Sequence, residues 1–259
     1  PAPSRSTTGP RPTRDARGID WRRGSTGQTD PAPTLGNRHA AILTRTTDSI
    51  SLHEALRVMV VVEAGLAAPR SLVEVVQAAL AGGARAIQLR NKGDAASELV
   101  AAGARLAPLL RQAGALFFVN DRLDVALTLD ADGVHLGPDD LPVAAVRAAA
   151  PKGFLIGRSA DEPRVALQAA SEGADYIGCG TVFPTSTKPD AGQVIGVEGL
   201  RRVVEAVPVP VVGIGGVTVE RVRDVARTGA AGVAVVNAVM SASDPASVVR
   251  RMLQGFAGN

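Results

Sequence analysis

The chain has 259 residues, 46% hydrophobic and 3% aromatic, enough apolar material for one large core; richness in Ala, Val, Leu and Gly suits parallel strands between small-residue helices rather than a β-sandwich. Residues 1–50 hold eight Arg and no Lys against four Asp while the remainder is net −1, so the body lacks the basic, stacking-rich face that nucleic acid requires. A lone cysteine, Cys179, excludes an internal disulfide and a cysteine metal cage and suits a reducing, cytoplasmic setting; no window nears the ~18 apolar residues of a membrane span, and no apolar secretory core opens the chain.

Residues 1–50, dense in Pro, Gly, Ser, Thr and Arg, lack hydrophobic period and predict a disordered extension, because they bury too little apolar surface to offset the entropy of ordering. Their Arg and Ser/Thr bias suggests an organellar transit peptide, but the four Asp argue against it. From residue 51 to 259 the pattern changes. Short apolar runs at 58–62, 86–89, 116–119, 133–136, 154–156, 176–178, 209–213 and 232–236 predict strands, too short for helices and mostly β-branched or followed by turns. Segments 71–81, 95–112, 164–172 and 219–228 space apolar positions three and four apart and predict helices. Gly-Ala pairs at 83–84, 114–115, 173–174 and 229–230 mark glycines ending helices before the next strand. Eight βα units in about 200 residues predict an α/β fold, a single (β/α)8 TIM barrel, rather than an open sheet of five or six strands. Chemistry in such a barrel belongs to the loops after strand C-termini.

After the second run, Gln88-Leu89-Arg90-Asn91-Lys92-Gly93 places Gln88 and Arg90 on one strand face with Lys92 just beyond; a forked guanidinium beside an ammonium suits a diphosphate, and a solvated charge pair is the plainer alternative. After the third, Asn120-Asp121-Arg122 supplies a carboxylate that fits a helix cap as well as a ligand. The fourth unit, Ala131 to Asp140, adds His135, expected to orient a neighbour, with direct substrate contact the alternative, and Asp140, which also fits an N-cap with Pro142 just inside the helix. Two carboxylates on neighbouring loops suit Mg²⁺, which leaves its other positions to water and phosphate oxygens. Gly157-Arg158-Ser159 brings a hydroxyl to the same mouth. The stretch Gly180 to Gly196 is long for a βα loop, and Thr185-Ser186-Thr187-Lys188 reads as an anion-binding lid. After the seventh run, Gly213-Ile214-Gly215-Gly216, and after the eighth, Val236-Asn237, occupy the last two loops, where barrels often bind phosphate. No Ser-His or Cys-His nucleophile pair is evident, and no His or Cys cluster suggests zinc.

In register along one barrel, QLRNKG, VNDR, DGVHLGPDD, GRS, FPTSTK and GIGG closely resemble the thiamine phosphate synthase (thiamine-phosphate diphosphorylase) family over about residues 57–251. The resemblance implies a Mg²⁺-dependent transferase that joins hydroxymethylpyrimidine diphosphate to thiazole phosphate and releases diphosphate. It implies Asp121 and Asp140 as Mg²⁺ ligands. Gln88, Arg90, Lys92, Asn120, Ser159 and Lys188 would hold the pyrimidine diphosphate, with Arg90, Lys92, Ser159 and Lys188 in catalysis. Thr185, Thr187, Gly215, Gly216, Val236 and Asn237 would hold the thiazole phosphate, and pairing with a copy of the chain is expected by analogy. Departures are Asn91 for a common acid, Thr181 for a proline, Asn237 for a serine, and Val62-Glu63 for Thr-Asp. The competing readings are a thiazole tautomerase, which has no diphosphate to bind, a non-catalytic phosphate-ligand module, and RNA binding by the tail.

Overall fold

The computed structural model describes residues 50–91, 93, 95–185 and 193–257. Among them eight parallel strands close into a barrel in chain order, with β8 pairing back onto β1. They are β1 (Val58–Val62), β2 (Ala86–Leu89), β3 (Leu116–Asn120), β4 (Gly133–Leu136), β5 (Leu155–Ser159), β6 (Tyr176–Cys179), β7 (Val211–Ile214) and β8 (Gly232–Val235). The (β/α)8 expectation holds, and every predicted run overlaps a strand. Strand β5 runs three residues past its predicted end, to Ser159, and β7 begins at Val211 rather than Val209: Pro210 has no N–H to give the ladder, although its carbonyl accepts from Ile177 N–H at 2.9 Å. The predicted extension, apart from Ile50, lies outside the described residues.

The helices are α1 (Leu52–Ala55), α2 (Leu72–Ala81), α3 (Ala96–Ala113), α4 (Leu123–Thr128), α5 (Val143–Ala149), α6 (Pro163–Ser171), α7 (Gly196–Ala206), α8 (Val222–Ala226), α9 (Asn237–Met240) and α10 (Pro245–Gly255). Gly83, Gly114, Gly173 and Gly229 all take positive φ at the junctions where the Gly-Ala pairs predicted a helix end. The segment expected to be helical from Val219 starts as a turn, with Arg221 N–H on Thr218 C=O, and is α-helical only from Val222. No helix among the described residues is long and apolar enough to cross a membrane.

Strand alternation splits the core into two shells. Outward residues such as Val60, Ile87, Val119 and Ile177 pack under the helices. Inward residues Met59, Val61, Ala86, Phe118, Tyr176, Val212 and Ala234 fill the barrel, with Leu56 closing its lower end. Phe118 and Tyr176 meet edge to face, centroids 5.4 Å apart, a geometry that favours aromatic pairs. At the rim before the strands, polar groups tie strands together. Asp132 Oδ2 accepts Phe117 N–H (2.8 Å), and Asp175 Oδ2 accepts Ile156 N–H (2.7 Å) and an Arg147 Nη2 bond (2.5 Å). Arg147 also donates to Phe154 and Gly173 carbonyls, each at 2.6 Å.

Candidate active site

Above the apolar filling, the inward residues turn polar and line a cavity of about 500 Å³ at the C-terminal mouth, within the size range of small-ligand sites. Glu63, Gln88, Arg90, Asn120, Asp121, Asp140, Ser159, Thr185, Gly215, Gly216, Val236 and Asn237 all face it. The predicted site residues from all the functional loops that are described therefore converge on one space. Lys92, Thr187 and Lys188 lie outside the described residues.

From β2, Gln88 is buried (4% exposed) and Arg90 forms an ion pair with Glu63, the residue at the end of β1. Glu63 stood out in the sequence only as a departure from a common Thr-Asp, and nothing along the chain pairs it with Arg90. The barrel does, because β1 and β2 run in register, Val62 beside Leu89.

Asp121 follows β3 with φ 62°, a left-handed conformation uncommon outside glycine and best tolerated by Asn and Asp. Its N–H donates to His135 C=O at 2.8 Å, which holds the strained turn against β4. The cap alternative is not what forms: Arg122 is the N-cap of α4 and no side chain caps it. Asp140 is not the N-cap of α5 either. Pro142 occupies that position, and Asp140 turns back so that its Oδ2 accepts Gly137 N–H at 2.6 Å. Arg158 pins the same turn from β5, donating to the carbonyls of Gly137 and, at 3.2 Å, Pro138.

The two carboxylates surround Gly137. A Cβ there would sit 3.0 Å from Asp140 Oδ2 and 3.8 Å from Asp121 Oδ1, so the missing side chain leaves the space between them open. Among the described residues no group of three or more His, Cys, Asp or Glu gathers for a metal. Two carboxylates on an open cradle fit a hard cation that keeps water and phosphate oxygens as its other ligands.

His135 lines the cavity and is hydrogen-bonded through both ring nitrogens. Its Nδ1 lies 2.9 Å from the Tyr176 hydroxyl and its Nε2 2.9 Å from Ser159 Oγ. The contact with Ser159 is not visible along the chain: 24 residues separate the two, but β4 and β5 are adjacent, with His135 beside Gly157 and Ser159 two residues on, facing the same interior. Tyr176 was missed altogether. The one available signal was a single tyrosine opening an apolar strand two residues before Gly178, on the inward face. Burial pushes its phenol far above the ordinary range, a side-chain hydrogen bond from Gln88 partly opposing the rise.

Loops six and seven close the opposite wall. Val182 and Phe183 N–H donate to Ile214 and Gly215 carbonyls at 2.9 and 3.0 Å. A Cβ on Gly216 would come within 2.5 Å of Pro184 C=O, so glycine is what lets the two loops touch. Arg221 stacks over Phe183, 4.9 Å from the ring centroid, and donates to Gly216 C=O.

The family model described as thiamine monophosphate synthase matches residues 58–239, spanning β1 through α9. The chain belongs to that family. The thiamine-phosphate synthase of Roseiflexus castenholzii is 48% identical over 195 residues, 75% of this chain and 86% of that protein. The solved structure of thiamine phosphate pyrophosphorylase from Pyrococcus furiosus superposes with a TM-score of 0.73 at 44% identity, covering 80% of this chain and all of that one. A 3-hexulose-6-phosphate synthase structure, at 19% identity and TM-score 0.58, shares the fold alone. As a thiamine monophosphate synthase family member, the protein is an enzyme of the transferase class.

Proposed function

We propose that this enzyme joins hydroxymethylpyrimidine diphosphate to thiazole phosphate, giving thiamine phosphate and diphosphate. The observation that carries the reading is one barrel mouth in which the Asp121-Asp140 cradle, Arg90 and Ser159 share a cavity with Thr185 and the Gly215-Gly216 loop. Asp121 and Asp140 would hold Mg²⁺, which supplies charge neutralisation to phosphate oxygens. Arg90, Lys92, Ser159 and Lys188 would stabilise the leaving diphosphate, while Gln88 and Asn120 position the pyrimidine half. Thr185, Thr187, Gly215, Gly216, Val236 and Asn237 would hold the thiazole phosphate.

The bond from the pyrimidine methylene to the diphosphate oxygen breaks, and the electron pair leaves with diphosphate. The thiazole nitrogen then gives its lone pair to the methylene cation and forms the new C–N bond. No protein nucleophile is needed, and the protein acts through charge and positioning. The test is stoichiometric release of diphosphate with formation of thiamine phosphate from both substrates and Mg²⁺. Folded protein that makes neither product, or that converts the thiazole phosphate without the pyrimidine partner, overturns the reading.

A further inference from the structure

Tyr176, His135 and Ser159, on β6, β4 and β5, form one hydrogen-bonded row across the barrel, ending at the cavity. The row is built into the strands. Register sets His135 beside Gly157 and Gly157 beside Tyr176, with Ser159 beside Gly178. A Cβ on Gly157 would lie 2.2 to 2.4 Å from Tyr176 ring and hydroxyl atoms, and one on Gly178 would lie 2.8 Å from His135 Cε1. Two glycines on the inward face thus leave the room that the phenol and the imidazole occupy.

The order of donors follows from the buried end. Tyr176 is buried, and the hydrogen-bond partner its hydroxyl meets is His135 Nδ1, 2.9 Å away, so a satisfied phenol proton points there. A neutral imidazole that accepts at Nδ1 carries its proton at Nε2 and donates it to Ser159 Oγ. With its lone pair engaged, the serine directs its own O–H toward the cavity. The reverse order would make the imidazole donate to the buried phenol oxygen and turn the phenol proton away from it, an arrangement that costs an unsatisfied buried donor.

We propose that this row sets the hydrogen-bond polarity of Ser159, making its hydroxyl a donor to an oxygen of the leaving diphosphate, with His135 and Tyr176 as positioning residues. The proposal rests on the coupling reaction above for the identity of the acceptor. It also separates the Ser-His contact from nucleophilic catalysis, in which Nε2 would accept the serine proton rather than donate to the oxygen. Directional chains of this kind strengthen their last donor, because each bond polarises the next.

The decisive measurement is ¹⁵N NMR of the histidine side chains in the full chain, which has three histidines. The His135 signals are assigned by their loss in His135→Gln or, should that variant not fold, as those remaining when His39 and His53 are both changed to Asn. The expected state at neutral pH is Nδ1 unprotonated and Nε2 protonated. An Nδ1–H tautomer or a doubly protonated ring overturns the proposal. A double-mutant cycle reads the consequence. Tyr176→Phe should lower kcat about tenfold with KM little changed, and should cost less than about twofold once Ser159→Ala is present. Equal losses on both backgrounds would mean that Tyr176 only packs, and would also overturn it. Wild-type protein that releases no diphosphate refutes the coupling reaction, while the tautomer still decides the polarity of the row.

Discussion

The two ends of the barrel treat charge differently. Below the strands, Asp132, Asp175 and Arg147 are tied to strand amides and carbonyls, and those bonds stitch β3 to β4 and β5 to β6. Above the strands, Glu63, Arg90, Asp121 and Asp140 face the cavity, and Asp121 is held in a backbone conformation that costs free energy. The comparison teaches that acidic residues in similar apolar surroundings serve different ends according to which strand terminus they flank. An acid before a strand meets unpaired amides of its neighbour. One after a strand meets the open mouth.

If the ends divide labour in this way, substitutions at the mouth should appear in turnover, and substitutions at the lower rim in melting. The largest effect is expected for Asp121→Ala and Asp140→Ala, each lowering kcat/KM about 10²-fold or more while the folded far-UV signal is kept. Titrating Mg²⁺ against diphosphate release checks this, and unchanged Mg²⁺ dependence in both variants would refute the ligand assignment. Next comes Asp175→Ala, which leaves the Ile156 N–H without its carboxylate acceptor and should cost about 1–3 kcal/mol in denaturant unfolding, with kcat nearly unchanged. Most of that cost is assigned to the buried amide, since the Arg147 and Asp175 side chains are each about a third exposed and water screens their ion pair. A large kcat loss without a stability loss would break the division.

Asp244→Ala, which removes the side-chain acceptor of Ser247 N–H at the start of α10, should cost about 1 kcal/mol and leave KM unchanged, as urea unfolding and steady-state kinetics would read. The smallest effect concerns Cys179 on β6. Burial, with a lesser push from Asp161, raises its thiol from an ordinary 9.0 to about 12. The unfolded chain therefore loses this proton first, so the thiol's contribution to stability is complete below pH 9 and is lost as pH rises toward 12. Comparing wild type with Cys179→Ala across that range isolates it, and parallel curves would show that the buried thiol contributes nothing.

Local features predicted much of this architecture because parallel-barrel strands are buried on both faces and read as continuous apolar runs, and because Gly-Ala pairs report helix ends through a backbone requirement. The acids at 121 and 140 were legible for a similar reason: position after a strand limits where a side chain can go. Their capping alternatives could not be excluded along the chain, since Asp suits a cap and a ligand equally; the N-caps at Arg122 and Pro142 and the turn from Asp140 back to Gly137 exclude the caps. The Glu63-Arg90 pair and the row from Tyr176 to Ser159 were not legible at all. Each joins residues on different strands, so no local period marks it.

By itself the sequence determined the eight βα units, the loops that carry polar residues and the family to which their motifs correspond, because each depends on spacing within a few residues. The tertiary structure decided which polar groups meet. Barrel closure and strand register set Ser159 against His135, and His135 against Tyr176, across 24 and 41 residues of chain.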